Sequence, residues 1–175
     1  MKVIEKSVLA IICVAVITFF ISPLCNADLQ QSDTKEITQY KLTDKTLTQY
    51  FQATKNLIPV VQKNPKLQGK SEDSEEADSL NQLVQEFDAI PGAKKALEDA
   101  SLATREYLTF HFALIYAASG DIILKSGGQL PGEYSKANVE FYRAHEAEFK
   151  KHEEDFKIIS KFTNGESGGE EDEND

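Results

Sequence analysis

The chain has 175 residues, with 19 Lys plus Arg against 29 Asp plus Glu, for a formal net charge of −10. At this length one domain with a real core is the natural expectation, and the acidic balance argues against a nucleic-acid binder, which needs a concentrated basic surface. A charged fraction of 27% excludes both a membrane-filling chain and a wholly disordered one.

Residues 1–27 read as a secretory signal peptide. Lys2 and Lys6 make a positive start, and Val8 to Ile21 is apolar except for Thr18. About 20 apolar residues are needed for a permanent span, so this run is short for an anchor. Pro23 ends it, and Cys25-Asn26-Ala27 places small residues at −3 and −1 of a cleavage site after Ala27. Lipidation at Cys25 is disfavoured by Pro23 and Leu24 just ahead of it. Export to the periplasm or outside the cell is the expectation, with no permanent membrane span after cleavage.

Processing changes the chemistry available. Cys13, Cys25 and Met1 all leave with the leader, so 148 of the 175 residues remain and none contains sulfur. Such a chain forms no disulfide, although an exported protein would be permitted one. It also lacks a thiolate nucleophile, a thiolate metal ligand and a haem attachment site. At the other end, residues 163–175 carry six acids, no base and no apolar side chain. Nothing there repays ordering, and the stretch reads as a disordered acidic tail. Residues 28–162 then hold 17 bases and 22 acids, a net −5.

After an N-terminal extension over 28–42, residues 43–162 form the helical domain. Apolar side chains recur there at spacings of three and four, with no sustained alternation of period two. A first helix starts at Thr43 as N-cap and presents Leu47, Tyr50, Phe51, Thr54, Leu57, Ile58 and Val61 on one face, with Pro59 kinking or ending it nearby. Residues 66–77 are polar and read as a mobile connection. A second helix carries Leu80, Leu83, Val84 and Phe87. Pro91-Gly92 breaks it and opens a short third helix, with Pro91 in its first turn and Ala93, Ala96 and Leu97 inward. The fourth helix, near residues 104–125, is apolar on nearly every side and is taken as the central element. A last long helix runs from Ser135 to about Phe162. The expected fold is all-α: a small bundle of four main helices plus one short one, with no internal repeat.

The last helix carries the most unusual pattern. Tyr142, Phe149 and Phe156 recur every seven residues, with His145, His152 and Ile159 three residues after each. His145, Glu148 and His152 therefore share one side and are candidate ligands for zinc or copper. Seven residues separate the imidazoles by about 10 Å along the axis, too far for both to reach one ion. One histidine with Glu148 and a third ligand from elsewhere, such as His111, is the surviving metal geometry. The competing reading places the two histidines at the rim of a core, partly buried and neutral, stacking on aromatics and hydrogen-bonding to a nearby carboxylate. Protonating them would then loosen the last helix, and stability would fall between pH 7 and pH 5. His111, amid Phe110, Phe112, Leu114 and Ile115, reads as a buried neutral imidazole donating to a carbonyl or carboxylate. Arg105-Glu106-Tyr107 opens the central helix, with Arg105 set to pair with an acid and Glu106 placed to favour the helix dipole.

No cofactor motif appears, and neither does Gly-x-Ser-x-Gly, Gly-x-x-x-x-Gly-Lys, His-Glu-x-x-His or Gly-x-Gly-x-x-Gly. The stretch Ala103-Thr-Arg-Glu-Tyr107, with its apolar continuation, and the run Asn138-Val-Glu-Phe-Tyr-Arg-Ala-His-Glu-Ala-Glu148 resemble small exported helical proteins of Gram-negative bacteria that have no assigned function. The resemblance covers roughly residues 40–156 and departs at Thr104, where such proteins often carry proline. It implies a periplasmic or secreted helical protein and brings no catalytic residue with it. Together these readings favour a non-enzymatic binding or interaction module for a protein or small-molecule partner. The alternative is a ligand carrier or metal-binding bundle using the histidines, and a hydrolase with an unpatterned carboxylate site ranks last.

Overall fold

A computed structural model describes residues 31–64 and 79–163. The predicted leader, the whole 66–77 connection and the acidic tail beyond Thr163 lie outside the described residues. Within them the chain is all-α, and eight helices are seen where five are expected from sequence. They are α1 (Gln31–Gln39), α2 (Asp44–Lys63), α3 (Leu80–Asp88), α4 (Ala93–Glu98), α5 (Thr104–Lys125), α6 (Lys136–Ala144), α7 (Glu146–Lys151) and α8 (Glu153–Thr163).

The helix boundaries follow local chemistry. Thr43 and Ser79 cap α2 and α3, their side chains accepting from the backbone N–H of Thr46 and Gln82. Pro59 does not end α2, which runs on to Lys63. Val61 is buried there, and the Asn64 side-chain amide donates to the Val60 carbonyl at 2.7 Å, closing the last turn. Pro91 lies outside α4 rather than in its first turn. Gly92 is the N-cap, in a left-handed conformation with φ 90° that a residue with Cβ would adopt only at a cost. The turn from α4 into α5 is a Schellman motif: Leu102 N–H donates to the Leu97 carbonyl and Ser101 N–H to that of Glu98. Its left-handed residue is Ser101, at φ 59°.

The α5 helix covers the residues expected of the apolar helix, 104–125. Packed against α1, α3 and α6, it buries Tyr107, Leu108, Phe110, Phe112, Ala113, Leu114, Ala117 and Ala118. By length and composition alone α5 could cross a membrane, yet 56% of its most apolar window is buried inside the fold, the pattern of a core helix. Gly120 sets its closest approach to the following segment: a Cβ there would meet Val139 at 2.7 Å, Leu130 at 3.0 Å and Tyr134 at 3.1 Å. Beside it the Asp121 carboxylate, only 2% exposed, takes ion pairs from Arg143 of α6 and from Lys125 at 2.7 Å.

Two departures from the sequence reading matter for the site. The extension before Thr43 contains α1, whose polar composition hides it; among its apolar positions only Ile37 is fully buried. The long last helix begins at Ser135 as predicted, but it breaks at His145 and His152 into α6, α7 and α8. Both histidines have φ near −100° and ψ near zero (−106° and 9°, −101° and 8°). At the first break the His145 imidazole Nδ1 lies 2.8 Å from the Phe141 carbonyl, the acceptor that a regular helix reserves for the His145 N–H. That N–H is shared between Phe141 and Tyr142, and Glu148 N–H bonds back to His145 in a tightened turn.

Candidate functional site

The four candidate ligands do not converge, and no group of three or more His, Cys, Asp or Glu side chains placed to hold a metal ion occurs among the described residues. His145 Nε2 lies 3.0 Å from Asp44 at the start of α2, and its ring stacks on Phe141 with centroids 4.1 Å apart. His152 turns its Nδ1 to Asp155 at 3.0 Å and stacks on Phe51 of α2 at 4.0 Å. Glu148 is exposed on α7. The rim reading of the two histidines therefore describes their positions: each stacks on an aromatic ring and faces a carboxylate.

His111 meets α2 from the central helix α5. Its Nδ1 lies 2.7 Å from the Tyr50 hydroxyl of α2, so the imidazole is partnered by a phenol rather than by the carbonyl or carboxylate expected from sequence. Tyr50 is the hub of an aromatic cluster. Its ring lies within 6.2 Å, centroid to centroid, of Phe51, Tyr107, Phe110, His111 and Phe156, joining α2, α5 and α8. Tyr107 lies nearly parallel to His111 and touches Phe87 of α3. Burial in this apolar setting pushes the His111 pKa down to about 4 and the Tyr107 phenol up to about 12. Burial likewise raises Tyr50 well above the usual phenol range, and the neighbouring Tyr107 adds to it. All three groups are therefore neutral at pH 7. Sequence reasoning placed Tyr50 on the core face and singled out His111, but it could not join residues 61 positions apart.

A second polar cluster ties down α1. Arg105 donates to both carboxylate oxygens of Glu36, at 3.0 and 2.6 Å, and to Asn81 of α3 at 2.6 Å. Asp33, 3.7 Å from the same guanidinium, accepts from the Leu80 N–H at 2.8 Å and so serves the start of α3. The hydrogen bond from Arg105 holds the Glu36 carboxyl below its ordinary pKa, against the opposing effect of burial. Sequence reading gives Arg105 an unnamed acidic partner; the structure supplies Glu36, with Asp33 beside it. Thr109, which donates to the Arg105 carbonyl at 2.8 Å, completes the cluster. Of the side chains that sequence offered for chemistry, His111, His145, His152 and Arg105 are thus engaged in holding helices together, while Glu148 is exposed. Comparison with protein-family models, with curated proteins and with solved structures finds no match to this chain.

Proposed function

We propose that the chain is an exported, non-enzymatic interaction module that works through the surface of its helical domain. The observation that carries this reading is the engagement of its titratable core groups with one another. His111 is bound to Tyr50, His145 and His152 face Asp44 and Asp155, and Arg105 is held by Glu36. A general base or metal ligand needs a lone pair directed at a substrate or ion. In this fold those side chains are directed at other helices. The positive start and short apolar run of residues 1–27, with small residues ahead of a cleavage site after Ala27, support export.

The test has two arms. Fractionation of cells producing the full chain should place it outside the cytoplasm, with a mature N-terminus at Asp28. Retention in the cytoplasm, or an intact leader on the mature protein, overturns export. Zinc and copper titrations by calorimetry should show no binding tighter than micromolar. A tight, stoichiometric heat that disappears in His145→Gln or His152→Gln would instead establish the metal-binding alternative.

A further inference from the structure

We propose that His145 is an acid-closed clasp: its imidazolium ties the joint between α6 and α7 to the first turn of α2, and loss of its proton releases that joint. The proposal rests on hydrogen-bond geometry and is independent of the proposed function. His145 closes α6 and precedes α7, and its ring stands between two acceptors. Nδ1 lies 2.8 Å from the Phe141 carbonyl, and Nε2 lies 3.0 Å from Oδ1 of Asp44, the first residue of α2. A carbonyl and a carboxylate accept but never donate. A neutral imidazole has one N–H and one lone pair, so either tautomer turns a lone pair on an oxygen at hydrogen-bond distance. Only the imidazolium donates to both. Two further features suit a cation. The ring stacks on the face of Phe141, and it sits at the C-terminal, negative end of the α6 dipole.

The charges around the joint leave this contact to the one pair. Among the described residues, Asp44 is the charged group within ion-pair distance of the imidazole, and it has no other ionic partner there. On α6, Arg143 is committed to Asp121 of α5, and Glu140 pairs with Lys136. On α7, Glu146 and Glu148 are exposed, and at its far end His152 turns to Asp155. The clasp matters because α7 has little else: it is six residues long and buries Phe149, which packs on Phe51 of α2 and on Tyr142. When the proton leaves, one acceptor must face a lone pair. The Phe141 contact lies within a single helical turn, whereas the Asp44 side chain is 85% exposed and turns readily into water, so the contact between helices is the one lost. The closed joint offers the imidazolium two acceptors, and acid therefore favours it by linkage. The response is opposite in sign to the loosening that the apolar stripe suggests.

Amide exchange of the purified full chain, corrected for intrinsic rates, reads the joint directly. Protection over residues 146–149 should rise about threefold as pH falls from 8 to 5, the size expected of a charge pair open to water on one side. Asp44→Asn should abolish the rise, because its side-chain amide can donate to a neutral Nε2 and the contact then needs no proton. His145→Gln should abolish it as well, and His152→Gln should leave it in place. Protection at the joint that is flat or falls with acid overturns the proposal, as does a rise that survives in Asp44→Asn or disappears in His152→Gln. Should His145→Gln fail to fold, Asp44→Asn decides, since it changes an exposed side chain.

Discussion

Asn138 shows what a single residue contributes to this fold. Its side chain, in the first turn of α6, accepts from the Leu42 N–H at 3.1 Å and donates to the Tyr40 carbonyl at 2.8 Å. One amide thus satisfies the backbone of the segment joining α1 to α2, which has no helical partner of its own there. Replacing Asn138 with Leu, similar in size but without donor or acceptor, leaves both groups stranded at a residue only 5% exposed. The expected cost is about 2 kcal/mol, seen as a lower denaturation midpoint with an unchanged urea slope. Ser101 offers the opposite case. It holds a left-handed conformation at φ 59° that glycine adopts freely. Ser101→Gly should therefore stabilise the protein by about 0.5 kcal/mol, read from the same urea curves; a loss of stability would mean that the side chain contributes more than its strain costs. Ser101 reads in the sequence as the end of the short helix, but the part played by Asn138 does not show there. Asn138 reads as a helix-start residue, and its partners lie 96 and 98 positions away.

At the scale of elements, legibility tracks how much apolar surface each helix buries. The start of α2 and both ends of α5 stand where the Thr43 cap and the apolar run near residues 104–125 put them. The α1 helix is invisible to that method because it is held by charge. Asp33 and Glu36, unremarkable acids in sequence, reach Leu80 and Arg105, and only Ile37 supplies a wholly buried apolar side chain. The breaks in the last helix escape it for a related reason. The stripe of Tyr142, Phe149 and Phe156 persists across both joints, so hydrophobic spacing records a single helix while the His145 side chain competes for the Phe141 carbonyl. The cluster around α1 can be tested as a unit. Arg105→Gln removes the two-pronged contact with Glu36 while keeping a polar side chain at a half-exposed position. Global stability should fall by only about 1 kcal/mol, but amide protection at Ile37 should drop in α1 ahead of every other helix. Added salt should produce part of the same loss in the wild type. Equal loosening of α1 and α5 would show that Arg105 supports the core rather than the strap.

For the whole molecule, the distribution of neutral and paired titratable groups fixes how stability responds to acid. The His111 pKa is lowered from 6.5 to about 4 in the folded state, so between those values the unfolded chain binds more protons than the native one. Folding stability must then decline as pH falls from about 6.5 to 4, by about 3 kcal/mol in all, and level off with respect to this group below that. Glu36 and Asp121 act at lower pH and in the same direction. Burial disfavours the Asp121 carboxylate, but Lys125 and Arg143 outweigh it, and Arg105 does the same for Glu36. Both are held below their ordinary pKa, so their contribution is intact above the usual carboxylate range and is lost as they are protonated beneath it. Acid unfolding should accordingly proceed in two stages, the upper one owed to an imidazole and the lower to carboxylates. The direction of the first stage was open to inference from sequence, because His145 and His152 on an apolar stripe suggest acid sensitivity. The contribution of His111 was not, since it depends on an apolar setting built around its imidazole by Tyr50 of another helix, 61 positions away. Urea denaturation at half-unit intervals from pH 7 to pH 3 separates the stages. In His111→Gln the upper decline should vanish and the lower one remain. In a His145→Gln, His152→Gln double variant the upper decline should persist, and its disappearance there would return the acid response to the last helix.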